Sequence, residues 1–324
     1  MTASLKTDRI VSICLPVPAL RRVRAVRANA CVGIPKRLPD GQKTVSGLRW
    51  AYPVFLALVI VLLVTPVRAG HEPLWELGIG VGLLSTPNYR GSLEESNLAL
   101  PFPYGVYRGS FLQVDREEGV RGRLFSNAEL QFDLSLAGNV PVPDNDDGAR
   151  SGMDSLDPLV EFGAEINFNL WRAADKDHSF NFVLPLRLVY SVGDPILAFQ
   201  GVTFSPYLNY RIRDEDHGLL LRYNASIGPI FASSRYHDYF YAVDEQFVTP
   251  ERPEYEADSG YSGSRITLSA TRNQDDFVVG LFARYDWLEG AVFEDSPLVE
   301  TDDYFVVGFV FGWIFSKSET RVGH

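Results

Sequence analysis

Residues able to do chemistry are sparse in this sequence. The five histidines are His71, His178, His217, His237 and His324. His71 and His324 stand near the two ends of the acidic part of the chain. His178 and His217 sit in Asp-rich links (DKDHS and DEDHG), where an imidazole is simply solvated. His237, in SSRYHDYFY, has Ser234 and Asp238 beside it. These are the residue types of a nucleophile, a base and an orienting acid, but adjacency along a chain does not build a triad. The stretch DNDDG at 144–148 resembles a calcium loop, yet its fifth ligand position is Gly148 and no glutamate closes the loop. A solvated acidic loop fits it better. The expectation is therefore no catalytic residue, no metal site and no cofactor. The densest local chemistry is aromatic: Tyr236, Tyr239, Phe240 and Tyr241, followed by Arg252, Pro253, Tyr255 and Tyr261. Tyrosine joins a flat apolar body to a hydrogen-bonding tip, so the cluster reads either as a surface for a partner or glycan or as an ordered loop packed on a rim.

The elements that must carry these residues alternate with a period of two. In 128–137 the even positions are Ala, Leu, Phe, Leu and Leu, and the odd ones Glu, Gln, Asp, Ser and Ala. The same two-faced pattern recurs in 160–170, 202–213 and 277–287. In the last long segment Phe305, Val307, Phe309, Phe311, Trp313 and Phe315 share one face, with smaller residues on the other. Such segments run about ten to thirteen residues, against about five or six in soluble domains, and about nine to eleven tilted residues cross a hydrocarbon layer. The strands expected are 74–83, 98–107, 110–116, 119–125, 128–137, 158–170, 179–191, 198–213, 217–231, 262–271, 276–287 and 303–315. A further hairpin at 232–244 would widen the count of twelve to a range of ten to fourteen. The fold class expected is all-β, a transmembrane antiparallel up-and-down barrel, with 138–157 and 244–261 as longer outward loops. A secreted sandwich or lipocalin-like barrel alternates too, since alternation does not say which face is outside. In the membrane reading Glu129, Asp133, Glu161, Glu165, Arg211, Arg222 and Arg284 face the lumen, lining a pore or filling a plug.

Composition sorts the chain into two materials. Of 324 residues, 30 are Lys or Arg and 41 Asp or Glu, a net charge of −11. Residues 1–69 carry eleven basic side chains against Asp8 and Asp40, a net of +9, so −11 less +9 leaves −20 for 70–324. So acidic a body has little with which to neutralise phosphates, and nucleic acid is excluded as a partner. Both cysteines, Cys14 and Cys31, lie in the first part. That part ends in basic residues, an apolar run at about 51–64 (AYPVFLALVIVLLV) and the small-residue step Val67-Arg68-Ala69, the layout of a signal peptide cleaved after Ala69. Residues 1–44 precede any ordinary n-region, which suggests a start site further downstream. The division expected is 1–69, extension plus signal peptide, and 70–324, barrel.

Several strings then resemble the MltA-interacting protein / OmpV family of Gram-negative outer-membrane proteins: PNYRGS (87–92), LPFPYGVYRG (100–109), YHDYFYAV (236–243), RPEYEADSGYSGSRI (252–266) and LEGAVFEDSPLV (288–299). The resemblance covers nearly all of 70–315 in order. It implies a barrel in the bacterial outer membrane, surrounded by lipid and lipopolysaccharide. It further implies a non-enzymatic scaffold for peptidoglycan-remodelling enzymes, a murein lytic transglycosylase and a penicillin-binding synthase. A porin-like channel for small solutes is the alternative, and an outer-membrane hydrolase a minor one. The resemblance assigns no binding residue.

Overall fold

The computed structural model describes residues 72–109, 112–115, 119–127, 129–139, 148–174, 177–214, 221–274 and 276–322. The expected signal peptide and residues 144–147 of the acidic stretch lie outside these.

The strands are β1 (Glu72–Pro73), β2 (Trp75–Pro87), β3 (Glu95–Arg108), β4 (Leu112–Asp115), β5 (Gly119–Ser126), β6 (Leu130–Gly138), β7 (Leu159–Arg172), β8 (His178–Ser191), β9 (Ala198–Phe204), β10 (Tyr207–Asp214), β11 (Leu221–Ala232), β12 (Gly260–Gln274), β13 (Phe277–Trp287), β14 (Asp303–Lys317) and β15 (Arg321–Val322). The helix α1 spans Ser234–Tyr241. From β2 to β9 and from β10 to β14 each strand pairs antiparallel with the next, β8 also pairs with β10, and β14 pairs back onto β2, which closes an up-and-down barrel. β9 and β10 both lie between β8 and β11 and form one stave broken at Ser205–Pro206, so the barrel has twelve staves. The sequence reads 198–213 as one continuous strand. The break falls where Pro206 has no N–H to give a ladder.

The two faces separate as alternation requires. On β14 Phe305 is 65% and Trp313 47% exposed, whereas Val306 is 2% and Ile314 3% exposed. The outward face of β2 holds Leu77, Ile79, Val81 and Leu83, all exposed, and its inward face holds Gly78, Gly80 and Gly82. Large apolar residues thus cover the outward face of the other strands whose side chains are described, the arrangement of a lipid-facing barrel. No described helix is long and apolar enough to cross a membrane. Inside, Phe102, Tyr104, Val106, Val278 and Ile314 form an apolar layer between β3, β13 and β14. Gly80 makes room for it, since a Cβ there would stand 2.4 Å from the Phe102 ring.

The barrel has two unlike ends. At one, the longer links 88–94, 139–158, 192–197, 233–259 and 288–302 follow or precede the strands. At the other are shorter turns and the β1–β15 pair, which joins the first and last described strands. The wall is also uneven. β3 pairs with β2 along its whole length, but β4 meets only Tyr107 and Arg108 of β3. Among the described residues the rest of that edge, 95–106, has no strand beside it, and it carries Pro101 and Pro103. Because the ladder to β2 is unbroken, the prolines turn their missing donors toward the free edge, which blunts it against pairing with another chain.

Candidate functional site

The functional candidate is the closed end of the barrel and the charged group beneath it. Within 232–244, Ser234–Tyr241 is a helix rather than part of the hairpin expected there. His237, Phe240 and Tyr241, three and four positions apart, form one buried face, and tertiary packing overrides strand propensity. Tyr241 stacks on Phe293 with ring centroids 3.8 Å apart, and its hydroxyl donates to Arg90 O at 2.9 Å. Ser296 Oγ donates to Tyr241 O at 2.8 Å, and Tyr89 Oη to Leu298 O at 2.6 Å. Three links distant in sequence therefore share one core over the barrel mouth.

The predicted aromatic cluster lies in this cap, with the hydroxyls of Tyr239, Tyr241, Tyr255 and Tyr261 engaged. Tyr239 Oη donates to Asp157 O, Tyr255 Oη to Val292 O, and Tyr261 Oη pairs with Ser264 Oγ. Arg252 donates to Phe247 O, Ala149 O and Ser151 O, which ties the long links together, and Arg150 donates to Phe240 O. Burial pushes the Tyr239 hydroxyl up to about 12 and raises those of Tyr236 and Tyr241 further.

Ser234, His237 and Asp238 build no relay. His237 is fully buried with Nδ1 2.6 Å from Asp258 O, while Asp238 Oδ1 accepts from Ala257 N at 2.8 Å and Ser234 is exposed. Burial lowers the His237 pKa, and Arg90 lowers it too, against the Asp258 carbonyl and Asp238, which raise it. A histidine depressed when folded contributes stability that is fully present above its unfolded value near 6.5 and is lost as pH falls from there through its lower folded value. Protection factors in 233–259, with exchange corrected for its intrinsic pH dependence, are therefore expected to be lower at pH 5 than at pH 7.5, and His237→Gln should flatten the difference. An unchanged pH response in the variant would contradict this role.

Below the cap Asp286, 0% exposed, is the hub. Its partners in the ladder on both sides are polar, Arg265 on β12 and Tyr304 on β14. Arg265 donates to it with Nε at 2.7 Å and Nη2 at 3.0 Å, and the Tyr304 hydroxyl donates as well. Arg90 Nε lies 3.6 Å and Arg284 Nε 3.5 Å from Oδ2. Arg90 is held by Ser262 Oγ at 2.9 Å and Tyr304 Oη at 3.3 Å. Gly263, at φ +92°, lets the chain pass: a Cβ there would stand 2.6 Å from Trp287 O and 3.0 Å from Arg90 Nη2. Gly263→Ala is expected to cost about 1–3 kcal/mol, read as a lower thermal midpoint of the folded barrel on an unheated gel.

The other expected lumen residues divide. Asp133, Glu161, Glu165, Arg211 and Arg222 stand on inward positions, with Asp133 fully buried and Glu165 paired to Arg187 at 3.4 Å. Glu129 is not among them. It is exposed in the turn before β6, where Asn127 Oδ1 accepts from the N–H groups of Glu129 and Leu130 and delays the strand to residue 130. Sequence reasoning missed Arg90, Ser262, Arg265, Asp286 and Tyr304 as a group. The one signal was that PNYRGS and GYSGSRI both place an arginine within two residues of a glycine. Among the described residues no three His, Cys, Asp or Glu side chains gather as a metal site needs.

The sequence matches the family of the MltA-interacting protein MipA over residues 79–315. The chain belongs to that family. The strings that carry the resemblance fall into two places in the barrel: four of the five build the cap and its arginines, and LPFPYGVYRG is the proline-blunted edge of β3. No curated protein matches. Among solved structures, a bacterial polysaccharide outer membrane secretin aligns at 9% identity and TM-score 0.34, over 76% of this chain and 100% of its own. The Pseudomonas aeruginosa protein OccK2 (OpdF), in complex with glucuronate, aligns at 9% identity and TM-score 0.19, over 78% and 100%. Likenesses this distant do not bear on function.

Proposed function

We propose that the protein is a non-enzymatic barrel of the bacterial outer membrane that works by holding partners, a murein lytic transglycosylase and a penicillin-binding synthase. The observation that carries this reading is the packed interior. Inward-facing Asp133, Val183, Asn209 and Val278 are at most 3% exposed, whereas a water-filled channel leaves its lining wet. The partner class rests on the family, whose description is an interaction with MltA. Export by a signal peptide ending at Ala69 belongs to the same proposal. In an outer-membrane barrel the shorter turns face the periplasm, where murein enzymes work, so the partner surface is assigned to the end bearing the β1–β15 pair. The aromatic cap then faces outward, and its role is to close the mouth. Affinity capture from solubilised envelopes tests the proposal: recovery of a murein hydrolase and a synthase is expected, and recovery of neither contradicts it.

A porin-like channel is the second reading, favoured by the polar cavity of about 400 Å³ beneath the cap. Planar-bilayer recordings separate the two. The packed interior predicts no stable conductance steps, and their presence would favour the channel.

A further inference from the structure

We propose that the cavity under the cap is a binding site for a small anionic group, a phosphate or carboxylate, with Arg90, Arg265 and Arg284 as its ligands. All three line that cavity. They meet one carboxylate, Asp286, so three positive charges less one negative leave the group two in excess. Buried charges ordinarily come paired, and an excess of guanidinium is completed by an anion that accepts its hydrogen bonds. The unused donors are identifiable. Arg265 directs Nε and Nη2 at Asp286, whereas Arg90 Nη2 is buried and makes no hydrogen bond, and Arg284 Nε, also buried and without one, has only its 3.5 Å approach to Asp286.

Two further charged residues line the same cavity. Arg187 is engaged by Glu165 and Ser135. Glu161, which accepts from Thr203 Oγ1 at 3.3 Å, opposes an incoming anion and limits its affinity. The lining also includes Ser96 and Leu98 of β3 and Gly138 of β6, from the two strands that flank the short β4–β5 hairpin. The cavity therefore lies beside the low part of the wall. A free anion and the head group of an anionic lipid offer these arginines the same chemistry. The site requires neither a channel nor a bound enzyme.

The test uses the full chain folded in neutral detergent, its fold verified by heat-modifiable migration. Inorganic phosphate, and separately phosphatidate in mixed micelles, are titrated calorimetrically. Saturable binding of at least one is expected. Arg284→Gln should weaken it about tenfold, and Glu161→Gln should tighten it about threefold or more. Binding of phosphatidate alone assigns a lipid head group, and binding of phosphate assigns the free anion. No saturable binding of either by the folded protein overturns the proposal, as does binding that neither substitution changes. If Arg284→Gln does not fold, Glu161→Gln decides: tighter binding supports the site, and unchanged or weaker binding overturns it.

Discussion

Asp286→Ala is expected to destabilise the barrel by about 2–4 kcal/mol, because it leaves three part-buried guanidinium groups without their fully buried carboxylate. Asp286 is inaccessible, bound by two nitrogens of Arg265 and by the Tyr304 hydroxyl, and approached by Arg90 and Arg284. The loss is larger than that of the two hydrogen bonds from Arg265, since the arginines that remain repel one another in a poorly hydrated space. Asp286→Asn keeps the shape and removes the charge, so it should retain most of the effect. The readout is the temperature at which unheated protein stops migrating as the folded form. A loss under about 1 kcal/mol would mean that the arginines find other compensation.

The second large effect comes from the outer face. Ile79, 56% exposed, stands on the outward side of β2 between Leu77 and Val81. Arginine in the lipid-facing band of a barrel costs about 2–4 kcal/mol near the midplane, so Ile79→Arg should lower folding stability in bilayers by that amount, while Ile79→Leu should be nearly silent. If the same face met water, exchanging an exposed isoleucine for arginine would change stability by less than about 0.5 kcal/mol. Equilibrium folding into lipid vesicles measures the difference.

Much of this fold is legible in the sequence because a barrel exposes its rule in every strand. Lipid on one side and lumen on the other force a period of two, and the segments expected at 276–287 and 303–315 are observed as Phe277–Trp287 and Asp303–Lys317. The misplacements have local causes. Asn127 holds a turn that starts β6 late, and Pro206 splits a stave. Strand-forming aromatics in 234–241 are overruled by what Tyr241 and Phe240 pack against. The step in the wall was not legible: the short segments expected at 110–116 and 119–125 are there, but their length relative to β3 has consequences only once β3 is registered against β2. The arginine group was hidden for the same reason. Arg90 and Asp286 are far apart in the chain, and only closure of β14 onto β2 brings the loop that carries Arg90 over β13.

Whether the apolar belt meets lipid is best measured at Trp313, 47% exposed on the outward face of β14. With the other tryptophans replaced by phenylalanine, the protein is folded into vesicles whose acyl chains carry bromine, a contact quencher of indole fluorescence. Strong quenching of Trp313 by the brominated chains, with little quenching by aqueous iodide, is the predicted result. Fluorescence indifferent to brominated lipid and quenched from the water would contradict a membrane-spanning barrel.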